Sequence, residues 1–203
     1  MCSSDLTHGG IPGQGRQGHR GSRLSRRRCA WRLCVRFRGT CYRGHDPRWA
    51  HSPLSGDGAK AKGGRFNPVG TPALYLSLTI AGMFAEQSHG FPHRFLPLTA
   101  CTYDVDVADI VDLRTNALRR KSGIDMSDLG CAWKYDHTHG REPASWAIAR
   151  RLIANGAAGI LVPSFAIRAE ANMHNLVLWT WGPKPPHHVE VYDPSGQIGR
   201  AHV

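Results

Sequence analysis

Residues 54–77 read LSGDGAKAKGGRFNPVGTPALYLS, a turn-rich basic segment that runs into a short apolar one. Five glycines and three cations, Lys60, Lys62 and Arg65, precede the apolar run. That run, ALYLS (73–77), predicts a buried strand. Glycines let backbone N–H groups approach an anion, and guanidinium groups bind phosphate oxygens in pairs. Composition alone leaves two interpretations open, a phosphate-binding loop or a solvated turn-rich loop.

Two common nucleotide-binding patterns are absent from the chain. No GxxxxGK[ST] phosphate loop occurs, and no GxGxxG lies between a predicted strand and a predicted helix. The stretch therefore belongs to neither of those nucleotide-binding classes.

The sequence on either side predicts a mixture of helices and short strands. Residues 42–69 and 122–141 lack a clear period, and we expect loops there. Helices are predicted at 78–88, 112–121 and 143–156, and strands at 73–77, 98–111, 158–164, 175–181 and 187–193. Strands outnumber helices in this prediction and their order is mixed. We therefore expect an α+β fold, a compact single domain with a mixed central sheet of mainly short strands.

The positive charge is concentrated near the N-terminus. The formal net charge is +11, yet residues 1–38 hold nine arginines and one acid, whereas residues 39–196 hold sixteen basic and fourteen acidic residues. We expect residues 1–38 to be a basic low-complexity tail, artefactual or disordered, with a nucleic-acid-binding arm as the alternative. The near-neutral core gives no reason to expect that the core domain binds nucleic acid.

Both ends of the chain resemble sequence that does not encode protein. One back-translation of Gln197–Val203 resembles a short-read sequencing adapter, and Cys2–Leu6 resembles the reverse complement of the same adapter. We therefore expect residues 197–203 to be an adapter-derived scar and the folded domain to span residues 39–196. The true N-terminus and the reading frame of residues 7–38 stay open.

The composition also indicates in which cellular compartment the protein is expected. No run of eighteen apolar residues occurs, and no N-terminal apolar segment resembles a secretion signal, so neither a membrane span nor export is expected. The six cysteines form no CxxC pair, and we interpret them as reduced thiols of a cytoplasmic protein. The DHTH cluster at 136–139 lacks further converging ligands, so no metal site is expected.

The motifs resemble the RES domain, a family named for an arginine, a glutamate and a serine. The 54–77 stretch is followed by Ala-Glu at 85–86, GILVPSFA at 159–166 and NLVLW at 175–179, in the order of the family. The resemblance covers about residues 40–194. It implies an ADP-ribosyltransferase-like fold and the toxin of a bacterial type II toxin–antitoxin system. Such toxins deplete NAD+ by cleaving its nicotinamide–ribose bond, by hydrolysis or by phosphorolysis.

The resemblance also implies partners and cofactors. NAD+ would be the substrate, no cofactor would be needed, and inorganic phosphate is a candidate co-substrate. An Xre-like antitoxin protein would block the active site. Whether the protein forms a homo-oligomer stays open.

The family motifs assign six site residues that we expect to converge on one pocket. The predicted catalytic residues are Glu86, Arg43 and Tyr75, and the predicted substrate-binding residues are Arg65, Ser164 and Asn175. Arginines suit the pyrophosphate, a carboxylate suits a ribose with oxocarbenium character, and a tyrosine ring suits stacking on nicotinamide. Taken singly, each residue has an ordinary structural interpretation, and the shared motif order favours the functional one.

Two other functions stay open at this point. A mono-ADP-ribosyltransferase that modifies a macromolecule would share the fold and the substrate. A non-catalytic basic binding module would draw its only support from the arginine-rich tail.

Overall fold

The computed structural model describes residues 34–88, 97–167, 169–196 and 198. Its strands are β1 (Cys34–His45), β2 (Leu74–Ser77), β3 (Thr99–Asp112), β4 (Gly159–Pro163), β5 (His174–Leu178) and β6 (His187–Val191). Its α-helices are α1 (Asp57–Lys62), α2 (Ile80–Gln87), α3 (Asn116–Lys121), α4 (Met126–Leu129), α5 (Trp133–Thr138) and α6 (Ala144–Ala154). In these ranges no helix combines the length and apolar character that a membrane crossing requires.

The six strands form one mixed sheet in the order β1-β2-β5-β4-β3-β6. Strand β1 also pairs along β3, so the sheet closes on itself through β1. The β3–β4 pair is parallel and the other pairs are antiparallel. The predicted α+β class and mixed sheet are confirmed.

Side chains that alternate along the strands separate two faces of the sheet. One face carries Leu74, Leu76, Leu176 and Leu178, which pack with residues of β1 and β3; we call it the leucine face. The other face carries Val162, Val177 and Trp179, which pack with apolar side chains of α4 and α6; we call it the helix face. Helix α6 buries Trp146, Ala149 and Leu152, the spacing of a helix with one apolar side.

Several elements differ from the sequence prediction. The predicted domain start at residue 39 falls inside β1, so residues 34–38 belong to the sheet, while residues 1–33 lie outside the described ranges. Strand β1 and helix α1 occupy part of the predicted loop, and α4 and α5 part of the predicted irregular segment. Strands do not outnumber α-helices among the described residues, and β1 and β3 are long, with 12 and 14 residues.

The polar side chains of β1 explain why the sequence did not predict a strand there. Arg36 and Arg38 both form ion pairs with Asp106 on the neighbouring strand, where side chains are solvent-accessible. Backbone pairing with β3 holds the strand, and such pairing requires no apolar alternation.

The cysteine prediction holds only in part. Cys41, Cys101 and Cys131 are free thiols, as expected. Cys34 is disulfide-bonded, so the reduced-thiol interpretation is wrong for that residue.

The GGRFN segment is a tight turn fastened to β2. Gly64 and Asn67 exchange backbone hydrogen bonds of 3.0 and 3.4 Å. The fully buried Asn67 side chain donates to the carbonyls of Ala59 and Thr71, both at 2.9 Å, and its Oδ1 accepts from the Tyr75 hydroxyl at 2.7 Å. This turn sets where Arg65 leaves the backbone.

We expect Gly64→Ala to lower the free energy of unfolding by about 1–3 kcal/mol, the usual cost of overpacking. A Cβ atom at Gly64 would lie 2.6 Å from Asn67 Oδ1 and 2.6 Å from the Tyr75 hydroxyl. Urea denaturation measures the change. The control is Gly58→Ala in α1, where a Cβ meets nothing within 4 Å; it should leave stability equal or raise it. Equal losses in both variants would contradict the packing argument.

Candidate active site

The Glu86 carboxylate is held by two neutral donors from distant parts of the chain. Thr79 caps the N-terminus of helix α2, where its Oγ1 accepts from the Gly82 amide at 3.0 Å, and Glu86 lies in the last turn of the helix. Glu86 Oε1 accepts from Ser164 Oγ and from Asn175 Nδ2, both at 2.6 Å. Ser164 directly follows β4 and Asn175 lies in β5. The sheet therefore brings three predicted site residues together.

Among the described residues, no cation pairs with Glu86, and one of its oxygens is left without a partner. Both hydrogen bonds go to Oε1, and among the described residues neither an ion pair nor a hydrogen bond engages Oε2. A hydroxyl and an amide carry no charge of their own, so these two hydrogen bonds position the half-buried carboxylate without cancelling its charge.

A cavity of about 300 Å³ lies beside Glu86. It is bordered by β1, β2, β5 and α2, and its lining residues are Tyr42, Arg43, Gly44, Tyr75, Leu76, Ser77, Met83, Glu86, Gln87 and Asn175. This volume is at the lower end of small-molecule sites, so it suits one end of a large ligand. A larger groove of about 870 Å³ near Asp109 and His187 contains none of the predicted site residues.

The ring of Tyr75 borders the cavity while its hydroxyl is occupied elsewhere. The hydroxyl donates to Asn67 Oδ1 at 2.7 Å and accepts from the Phe66 amide at 3.0 Å. Burial raises the pKa of Tyr75, so its hydroxyl stays protonated near neutral pH. Because the hydroxyl is engaged by Asn67 and Phe66, the ring is the part of Tyr75 best placed for a ligand, and its stacking role stays a prediction.

Arg65 lies on the side of the sheet that carries Glu86. Its Nη1 donates to the Cys131 carbonyl at 2.7 Å, and its guanidinium lies 4.7 Å from the ring centroid of Phe165, next to Ser164. Burial lowers the pKa of Arg65, and the nearby Cys131, Glu86 and Tyr75 side chains oppose that shift. The guanidinium is thus within electrostatic range of Glu86, although Arg65 does not line the cavity.

The Arg43 guanidinium points to the opposite face of the sheet. Arg43 pairs with Cys101 and shares the leucine face with Cys41 and Tyr103, whereas its neighbour Tyr42 pairs with Ser77 on the Glu86 side. Arg43 lines the cavity with Glu86, Tyr75 and Asn175, while its guanidinium lies near the Pro53 and Ser55 carbonyls. Of the six residues expected to converge, Arg65 and Ser164 do not line this cavity. A role of Arg43 in the reaction stays a prediction.

On the leucine face Arg43 helps to fasten the segment 53–55. Arg43 Nη1 lies 3.5 Å from the Pro53 carbonyl and 3.4 Å from the Ser55 carbonyl. The Tyr103 hydroxyl also donates to Pro53 at 2.9 Å, and the Trp181 indole donates to the Leu54 carbonyl at 3.0 Å. These donors fix the segment that leads into α1 and the GGRFN turn.

Tyr42 and Ser77 are among the cavity residues that sequence reasoning missed. Ser77 lies two positions after Tyr75 on β2, so strand alternation from Tyr75 would have placed it on the same face. Tyr42 lies on β1, which no sequence pattern predicted as a strand.

The RES domain model matches residues 40–201 of the chain. The chain belongs to the RES-domain family. The match continues past residue 196, where the sequence analysis ended the domain. No curated protein sequence matches this RES-domain chain.

One similar solved structure is the crystal structure of the M. tuberculosis MbcT–MbcA toxin–antitoxin complex. The matched chain of that complex is 22% identical to this RES-domain chain, with a TM-score of 0.51, over 79% of this chain and 84% of the other. At that identity the likeness bears on the fold, which the two chains share.

We expect stability to fall as the pH drops from about 6.5 towards 4, in part because of His45. Burial, followed by the charge of Arg43, lowers the pKa of His45 from 6.5 to about 4. Between these values the unfolded chain takes up a proton that the folded chain refuses, so acid favours unfolding. His45 Nε2 lies 2.6 Å from the Tyr103 hydroxyl, which itself donates to Pro53.

Denaturant unfolding at pH 7 and pH 5 measures this loss in the wild type and in His45→Gln. The variant keeps a donor for Tyr103 and cannot titrate, so its stability should fall less over the same interval. An equal decrease in both proteins would show that His45 does not contribute.

Proposed function

We propose that this RES-domain protein is the toxin of a bacterial toxin–antitoxin system and that it depletes NAD+ by cleaving the nicotinamide–ribose bond. The observation that carries the proposal is the Glu86 carboxylate, which lines the cavity and is held at Oε1 by the neutral donors Ser164 and Asn175.

The chemistry of this bond requires one well-placed negative charge. Nicotinamide leaves NAD+ as a neutral molecule, so no general acid is needed to protonate it. The ribose gains oxocarbenium character as the bond breaks, and a nearby carboxylate stabilises that positive charge. Glu86 Oε2, which has no hydrogen bond or ion pair in the part of the chain that the structure describes, would do this or hold a ribose hydroxyl.

Two other groups would orient the substrate. The ring of Tyr75 borders the cavity and offers a flat apolar surface to nicotinamide. Arg65 keeps donors beyond the Nη1 that it gives to Cys131, and its planar guanidinium suits the pyrophosphate. In this proposal NAD+ is the substrate, no cofactor takes part, and water or inorganic phosphate accepts the ADP-ribose.

The proposal includes a protein partner and a setting. The similar solved structure is a toxin–antitoxin complex, and the family resemblance implies an Xre-like antitoxin that covers the active site. Depletion of NAD+ would take place in the cytoplasm. An ADP-ribosyltransferase-like arrangement of the fold remains part of the proposal.

Incubation of the purified, antitoxin-free protein with NAD+, with and without phosphate, tests the activity. We expect nicotinamide together with ADP-ribose in buffer alone, or ADP-ribose 1″-phosphate when phosphate is the acceptor, both identified by chromatography and mass spectrometry. ADP-ribose attached to protein or nucleic acid would instead indicate a transferase. Intact NAD+ after long incubation would refute the proposal.

Glu86→Gln should lower turnover of NAD+ by about a hundredfold or more while the fold is kept. The glutamine oxygen can accept from both Ser164 and Asn175, so the variant removes only the charge. The matched control is Glu190→Gln on β6, whose side chain is 72% exposed. Wild-type turnover in Glu86→Gln would show that the charge of Glu86 does not contribute to the reaction.

Arg65→Lys should raise the Michaelis constant for NAD+ more than it lowers kcat. Lysine keeps the charge but loses the planar fork that binds two phosphate oxygens. Steady-state kinetics separate the two constants, and Arg48→Lys, at an exposed position that does not line the cavity, is the control. A changed kcat with an unchanged Michaelis constant would show that Arg65 does not take part in substrate binding.

A further inference from the structure

One buried hydroxyl beside the cavity has no role in the proposed reaction. Ser77 ends β2 and is 5% exposed. It pairs directly with Asn175 in the antiparallel β2–β5 register, and its Oγ donates to Asn175 Oδ1 at 3.0 Å. We infer that Ser77 is a positioning residue that holds the Asn175 amide in the orientation that binds Glu86. This inference rests on the proposed function only for its kinetic consequence.

The hydrogen bonds among Ser77, Asn175 and Glu86 can run in only one direction from donor to acceptor. An amide nitrogen only donates and an amide oxygen only accepts. Asn175 Nδ2 donates to Glu86 Oε1 at 2.6 Å, so Oδ1 must face away from the carboxylate and requires a donor of its own. The Ser77 hydroxyl is that donor. The hydrogen bonds therefore run from Ser77 through Asn175 to Glu86, and link β2 and β5 to α2.

Removal of the Ser77 hydroxyl leaves Asn175 without a satisfactory orientation. In the present orientation Oδ1 would lose its partner in a mostly buried position, which is unfavourable. In the flipped orientation Oδ1 would face Glu86 Oε1, and two acceptors would oppose each other. The first state leaves the Asn175 amide less firmly oriented, and the second leaves Glu86 with the Ser164 hydroxyl but without the Asn175 donor, so either state weakens the hold on Glu86.

Ser164 by itself is a less restrictive support. It is a single hydroxyl on the segment that follows β4, and its Oγ also accepts from the Ala166 amide at 3.2 Å. Asn175, by contrast, lies inside a strand between β2 and β4. The rigid part of the Glu86 support is therefore the part that Ser77 orients.

Steady-state kinetics on Ser77→Ala and Ser77→Thr test the inference. We expect Ser77→Ala to lower kcat about tenfold with a Michaelis constant within twofold of wild type, and Ser77→Thr to restore most of the kcat because the hydroxyl is kept. Ser88→Ala removes a hydroxyl whose hydrogen bond among the described residues goes to the Ala85 carbonyl at the end of α2, and it should behave as wild type. A raised Michaelis constant with unchanged kcat would overturn the inference, since it would indicate direct contact with the substrate.

A double-mutant cycle tests whether Ser77 acts through Asn175. In the Asn175→Ala background, Ser77→Ala should cause no further loss of kcat. Additive losses would show that the two side chains act independently and would overturn the inference.

The side-chain amide resonances of Asn175 provide a readout that needs no substrate. They are assigned by their disappearance in Asn175→Ala. We expect two protected, well-separated amide protons in the wild type and in Ser77→Thr, and faster hydrogen exchange in Ser77→Ala. Unchanged exchange in Ser77→Ala would overturn the inference. This readout holds even if the protein does not cleave NAD+, so failure of the proposed function and failure of the inference are distinguishable.

Discussion

The pairing of β1 with both β2 and β3 is the constraint on which the site depends. Tyr42 lies opposite Ser77, and Ser77 lies opposite Asn175, so one line of backbone pairs crosses β1, β2 and β5. Asn175 in turn pairs with Val162 on β4, two residues before Ser164. Helix α2 follows β2 after two residues and returns Glu86 to this line. The sheet thus assembles the support of the carboxylate from segments that are nearly a hundred positions apart.

Two small polar networks on the same face have different tasks. The Asn67–Tyr75 network fastens the GGRFN turn to β2, and every polar group of those two side chains has a partner, as buried polar groups require. The Ser77–Asn175–Glu86 network ends on one carboxylate oxygen, and within the described ranges the second oxygen has no hydrogen-bond partner. The first network fixes where Arg65 and the Tyr75 ring lie. The second holds a charge in place without cancelling it.

The Arg43 side chain lies on the leucine face, away from the Glu86 carboxylate. The Arg43 guanidinium contacts the carbonyl oxygens of Pro53 and Ser55. Burial lowers the pKa of Arg43, and Tyr103 and Cys101 oppose that shift by smaller amounts. An arginine that fastens a loop affects catalysis through the position of that loop. Effects of changing Arg43 on stability and on substrate binding should therefore be measured separately.

Local patterns in the sequence were enough to determine β2, α2 and α6, because a short apolar run, a capped amphipathic segment and a glycine stop are properties of neighbouring residues. The order of the family motifs likewise placed Glu86, Ser164 and Asn175 in one site, and the sheet brings them within hydrogen-bonding distance.

Only the tertiary structure decided on which face each strand residue lies. Strand β1 carries exposed arginines that form ion pairs with an aspartate on β3. The sequence of β1 therefore lacks the apolar alternation by which a strand is usually predicted. The side of Arg43 and the pairing of Ser77 with Asn175 depend on register, and a shift of one residue would exchange the faces. Register is set by long-range backbone pairing between β1, β2 and β5, and no window of neighbouring residues contains that information.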